Sequence, residues 1–107
     1  NLYFNKILVK YNKILIWGAG AYSLWIYSNT VLAEREIILF IDNNTLKQGK
    51  MVGAIPIVAP SCLLKNEKYK DVPILICSML HSEDILHQIE EMGISNAIIK
   101  LNTITND

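Results

Sequence analysis

The chain has 107 residues, 51% of them apolar, and its ten acidic and ten basic side chains cancel. That length makes one domain with a real core and excludes two, and the apolar share excludes a disordered chain. No basic run exceeds two residues, so a nucleic-acid backbone is not the expected partner, and no apolar run is long enough for a membrane span.

In chain order, residues 2–11 carry apolar side chains at Leu2, Tyr3, Phe4, Ile7, Leu8 and Tyr11, which predicts a helical stripe. The chain opens at Asn1 without methionine, and NLYFN differs by one residue from the NLYFQ core of a common tag-cleavage site. The sequence is therefore expected to be a piece of something longer, and residues 1–5 carry no functional weight. KILIW at 13–17 is a short apolar run ended by glycine, a predicted buried strand. Ala21, Leu24, Trp25, Ser28, Val31 and Leu32 fall on one helical face. EIILFID at 36–42 is a second strand ending in an acid, followed by a turn-rich loop over 43–53.

AIPIVAP at 54–60 is a short extended piece, and Pro56 assigns it to a sheet edge because proline lacks an N–H. A helical turn or two is predicted over 60–64, with Pro60 at its first position. VPILIC at 72–77 reads as another central strand. Ser82 is then expected to cap a helix that carries Glu83 and Asp84 in its first turn, buries Ile85, Leu86, Ile89 and Met92, and stops at Gly93. NAIIK at 96–100 is the last strand, and the tail beyond it is expected to be loosely attached.

Strands alternating with helices, with central strands apolar throughout, predict an α/β fold: a parallel sheet covered by helices on both faces. Right-handed crossovers give the strand order 3-2-1-4-5, with the 13–17 strand in the centre, roughly half of a dinucleotide-binding fold. The expected organisation is a helix, linker or tag-derived start at 1–12, the domain at 13–101 and a tail at 102–107. Cys62 and Cys77 lack metal-like spacing and read as free thiols of a cytoplasmic protein, and no secretory signal is visible.

Gly18-Ala19-Gly20 stands where the first strand turns into the first helix. A helix N-terminus exposes unpaired N–H groups and partial positive charge, and glycine lets a phosphate approach them. The fingerprint G-x-G-x-x-G reads here Gly18-Ala19-Gly20-Ala21-Tyr22-Ser23, with serine in the third glycine position. Tyr22 and Trp25 suit either a base or sugar contact or helix packing. Asp42 follows about twenty residues on, where a ribose-binding acid is expected. The alternative is that the glycines only make the turn and Asp42 only caps the next loop. Lys47 and Lys50 flank Gly49 and either cover a pyrophosphate or are solvated loop lysines.

The strings IWGAG, FIDNN, KQGK with Gly53 and PIVAP, ILIC, and Asp84-Ile85-Leu86 carry a likeness that covers roughly residues 13–100. In them the chain resembles the Rossmann-like C-terminal domain of C-methyltransferases that act on nucleotide-linked deoxysugars. It is also similar to the N-terminal domain of sugar O-acyltransferases and to the first domain of polysaccharide-biosynthesis epimerases. The sharpest part is Asp42-Asn43-Asn44, Lys47-Gln48-Gly49-Lys50, Gly53 and Pro56; the three families share the strand, glycine loop, strand and Asp pattern, so this string does not separate them. The resemblance implies a nucleotide or nucleotide-sugar setting in polysaccharide or sugar-modification metabolism. It also implies an upstream catalytic domain that binds S-adenosylmethionine in the methyltransferase relatives.

Standard catalytic constellations are missing from the sequence. No tyrosine has a lysine four residues on, and His81 and His87, six apart, fall on different helical faces with no cysteine or acid at ligand spacing. Cys77 with His81 allows a thiol–imidazole pair, but a buried inert cysteine is the commoner outcome. Ser78, at the end of its strand, borders the expected ligand crevice. The expected reading is a non-catalytic nucleotide- or nucleotide-sugar-binding module, with candidate ligand contacts at Gly18, Ala19, Gly20, Ala21, Tyr22, Asp42, Asn43, Lys47 and Ser78 and no metal. NAD is the less favoured cofactor. The alternatives are a structural or dimerising domain without a ligand, and a sensor module for NAD or CoA. The sequence leaves the oligomeric state open.

Overall fold

The computed structural model describes residues 10–29, 34–77 and 81–100, without the side chains of Tyr22, Ile26 and Asn29. The predicted helix up to residue 9, Ser78 and the tail from 101 lie outside the described residues. Strand β1 is Lys13–Trp17, helix α1 Ala21–Asn29 and strand β2 Glu36–Ile41. A two-residue strand β3, Met51–Val52, turns into β4, Ile55–Val58. The short helix α2, Cys62–Lys65, and a 3-10 turn, Glu67–Tyr69, lead to β5, Ile74–Ile76. Helix α3, Ser82–Glu91, and strand β6, Ile98–Lys100, complete the described elements.

The sheet order is β3-β4-β2-β1-β5-β6. All pairings are parallel except β3 with β4. The five strands expected from the sequence stand in the order expected, and the fold is an α/β, Rossmann-like one. What the sequence reading missed is β3, which lies antiparallel outside β4 and pairs Met51 with Pro56. The 54–60 segment is thus one strand in from the edge, a correction of the edge assignment. Proline is tolerated there because β2 reaches only Ile57 and Val58, beyond it.

Side chains of β1 alternate between two cores. Ile14 and Ile16 join Phe40, Leu75, Cys77 and Ile99 on one face, where Leu24 and Tyr27 of α1 pack. Leu15 and Trp17 join Leu39, Ile41, Ile74 and Ile76 on the other, against Leu63, Tyr69, Ile85 and Ile89. Period-two alternation in a strand buried on both sides needs an apolar residue at every position, which is why β1 reads as a continuous apolar run. The register of β1 on β2 shifts between Ile14 and Leu15, which face Ile37 and Leu39. That bulge sets Ile38 and Leu39 against the same core.

Two caps differ from expectation. The first residue of α3 is Ser82 itself, and its N-cap is His81, with no side-chain cap bond. Ser82 is buried. Likewise the first helical residue of α2 is Cys62 rather than Pro60. The end of α3 follows expectation: Gly93 takes φ +74°. Its N–H donates to the Glu90 carbonyl at 3.1 Å and that of Ile94 to the Ile89 carbonyl at 3.0 Å, the paired bonds of a Schellman cap.

Candidate functional site at the glycine turn

Parallel pairing of β1 with β2 and β5 brings the carboxyl ends of all three to one side of the molecule. Gly18 follows β1 with φ +114°, a conformation that L side chains rarely adopt. Its N–H donates to the Ile41 carbonyl at 2.6 Å. A Cβ on Gly18 would stand 3.3 Å from Ser23 Oγ, so the serine in the third fingerprint position fills the space under the turn. Ser23 is buried. At Gly20 φ is not positive, and the nearest atom to an added Cβ would be Lys47 Nζ at 4.0 Å.

Asp42 leaves β2 directly opposite this turn. Its Oδ2 accepts the Ala19 N–H at 2.8 Å and its Oδ1 accepts the Asn44 N–H at 2.8 Å. A carboxylate offers about four lone-pair sites, so capacity for a hydroxyl donor remains. The Asx turn is continued by Asn44, whose Oδ1 accepts the Leu46 N–H at 2.9 Å. Gln48 Nε2 donates to the Asp42 carbonyl at 2.8 Å.

These bonds curl the loop after β2 back over the glycine turn. Lys47 Nζ then donates to the Ala19 carbonyl at 3.2 Å. Ala19 is therefore held on both sides of its backbone, by Asp42 at the N–H and by Lys47 at the carbonyl. No carboxylate of the described residues lies within ion-pair distance of Lys47. The first turn of α1 contains no acid, whereas that of α3 contains Glu83 and Asp84. Among the described residues the N–H groups of Gly20 and Ala21 have no acceptor. An ammonium, a helix N-terminus and a residue without a side chain thus meet at one point, which is the electrostatic arrangement that favours an anion.

Of the sequence candidates, Gly18, Ala19, Gly20, Asp42 and Lys47 come together. Ala21 opens α1 with its side chain exposed. Tyr22 lies in α1, and its side chain is not among those described. Asn43 points to α3 instead: its Nδ2 donates to Gln88 Oε1 at 2.8 Å and its Oδ1 accepts from Gln88 Nε2 at 2.9 Å. Lys50 is exposed. Trp25 is 58% exposed and so is not a core residue. Sequence reasoning named Asn44 and Gln48 only as part of the loop string and gave them no contact, and it missed Gln88. Asx-turn chemistry signals the first, but nothing local signals Gln88, which is 45 positions from its partner.

Burial pushes the Cys77 thiol up to about 12 from 9.0. It stays protonated at neutral pH and is no nucleophile, in line with the inert reading. Among the described residues no group of three or more His, Cys, Asp and Glu is placed to hold a metal ion. No helix among them is long and apolar enough to cross a membrane.

Two solved structures share this architecture. The crystal structure of UDP-D-quinovosamine 4-dehydrogenase from Vibrio fischeri superposes with a TM-score of 0.59 and 23% identity, over 90% of this chain and 84% of that one. The crystal structure of RSP, a Rex-family repressor, gives a TM-score of 0.61 at 16% identity over 95% of this chain, which spans 61% of the repressor. Likeness at these identities establishes the Rossmann-like fold. No curated protein matches the sequence. Neither structure is named as a methyltransferase, so the methyltransferase part of the resemblance has no support from them. The model of C2185-like N-terminal domains matches residues 10–100, and the chain belongs to that family.

Proposed function

We propose that this domain binds the diphosphate of a nucleotide or nucleotide sugar at the Gly18–Gly20 turn, as a non-catalytic module of a larger sugar-modifying enzyme. The carrying observation is the Lys47 ammonium, which bonds Ala19 O at 3.2 Å beside the N-terminus of α1 with no carboxylate partner among the described residues. An anion seated against Gly20 would take N–H groups of the first turn and a donor from Lys47, and Asp42 keeps lone pairs for a ribose hydroxyl. The likeness to an enzyme named for a UDP-sugar supports the ligand class, and the absence of a catalytic constellation in the sequence supports the non-catalytic role. The sequence resemblance suggests an upstream C-methyltransferase domain as one form of the parent enzyme, in which S-adenosylmethionine would be held by that upstream domain.

A second reading is favoured by one observation. Asp42 and Lys47 already close the turn through the chain's own bonds. A purely structural or dimerising domain would need no more than this.

Calorimetry on the chain with UDP-sugars, NAD and CoA separates the readings. Nucleotide sugars are expected to bind, and NAD and CoA are not. Lys47→Ala should weaken binding roughly tenfold or more, the worth of one charge-assisted bond. Gly20→Val should abolish binding while the fold survives, because the backbone there accepts a side chain. Silence with every ligand would leave the structural reading, and binding that survives Gly20→Val would move the site elsewhere.

A further inference from the structure

The loop after β2 straddles the carboxyl end of the sheet, and Asp42 and Asn43 turn to opposite sides of it. Phe40 belongs to the core that α1 covers and Ile41 to the core that α3 covers. The period-two alternation of β2 continues past its last residue. Asp42 therefore returns to the α1 side, where its Oδ2 accepts the Ala19 N–H at 2.8 Å. Asn43 goes to the α3 side, where it meets Gln88.

The contact with Gln88 is a closed pair. Each side-chain amide donates to the oxygen of the other, at 2.8 and 2.9 Å, and Gln88 Nε2 also reaches Met92 Sδ at 3.7 Å. Lys47 hangs from this anchored stretch. The N–H groups of Lys47 and Gln48 donate to the Asn44 carbonyl at 3.0 and 3.2 Å, and Gln48 Nε2 donates to the Asp42 carbonyl at 2.8 Å. The far end of the loop is fixed to β4, where the Gly49 N–H donates to the Ile57 carbonyl at 2.9 Å. A lysine ammonium rides on a flexible four-carbon stem. A backbone held in place beforehand removes part of the ordering cost when that ammonium meets a ligand.

We propose that Gln88 is a positioning residue for the anion site. It touches no ligand. By holding Asn43 on the α3 side it keeps Asp42 against Ala19 and Lys47 at the glycine turn. This inference rests on the nucleotide-binding reading above and adds to it a residue from the opposite face of the sheet. It also gives Asn43 a part other than ligand contact, because Gln88 occupies its amide and it acts through the loop.

The test is calorimetry with UDP-glucose on Asn43→Ala, Gln88→Ala and the double variant, each shown to be folded by circular dichroism. Hydrogen exchange of the Ala19 amide is measured alongside, without ligand. Each single substitution is expected to weaken binding roughly threefold to tenfold, and the double no more than either single. Gln88→Ala is also expected to speed exchange at Ala19, on the far side of the sheet end. A merely structural Gln88 would loosen its own helix and leave both affinity and Ala19 unmoved. Unchanged affinity or unchanged Ala19 exchange in Gln88→Ala overturns the proposal, as do additive losses in the double variant. A loss confined to Asn43→Ala overturns it too, since Asn43 would then touch the ligand directly. Wild-type silence toward UDP-glucose would overturn the nucleotide-binding reading and this ligand claim with it, while exchange at Ala19 would still decide whether Gln88 holds the turn.

Discussion

Gly18 and Gly20 look equivalent in the sequence and face opposite constraints. Gly18 has φ +114° and Ser23 Oγ 3.3 Å from where a Cβ would stand, whereas Gly20 lacks a positive φ and its nearest atom, at 4.0 Å, is Lys47 Nζ at the end of a long side chain. Gly18→Ala should cost about 1–3 kcal/mol in urea denaturation, and Gly20→Ala less than about 1 kcal/mol. Equal losses would mean that the turn is not held as described. Cys77 and Cys62 differ in the same way. Cys77 is buried with its thiol raised to about 12, and Cys62 is partly exposed. A thiol reagent at pH 8 should modify Cys62 in the native protein and reach Cys77 only after denaturation. The unfolded chain ionises Cys77 near 9.0 and the folded chain does not until about 12. Stability should therefore be full below pH 9 and fall as pH rises between those values, by at most about 1.4 kcal/mol per pH unit. The pairing of glycine with acid was legible at this scale. The different jobs of the two glycines were not, because φ depends on how the turn meets Ile41 and Ser23.

At the scale of elements, the loop after β2 is tied at both ends. Asp42 and Lys47 fasten it to the glycine turn, and the doubled amide bond between Asn43 and Gln88 fastens it to α3. Because Asn43 is exposed and Gln88 only half-buried, the tie contributes modestly. Gln88→Ala should lower stability by about 0.5–1.5 kcal/mol and speed hydrogen exchange of the loop amides. Exchange that is unchanged would show that Asp42 and Lys47 hold the loop alone. Asn43 entered the sequence reading as a ligand contact because it follows Asp42. Its side chain instead bonds to Gln88, a position that sequence spacing gives no reason to pair with it.

For the whole molecule, the two cores meet at β1, whose Ile14, Leu15 and Ile16 have no solvent exposure. Ile16→Ala should cost about 2–5 kcal/mol in chemical denaturation, whereas Leu46→Ala, on an exposed turn, should change stability by less than about 0.5 kcal/mol. Strand order, the two-faced sheet and the position of the glycine turn were legible, because apolar period, glycine and chain direction act locally and crossovers have one hand. The antiparallel strand Met51–Val52 was not, since two residues carry no period and proline argued for an edge. Nor were the caps of α2 and α3 placed correctly, because a helix start is decided by packing as much as by capping preference. What the sequence by itself determined is the α/β architecture and the place where glycines meet an acid. Only the tertiary structure decided that Asp42 and Lys47 grip Ala19 from both sides and that Asn43 pairs with Gln88. Those contacts join groups 23, 28 and 45 positions apart, and that distance is closed by the packing of the sheet and its helices rather than by any local preference.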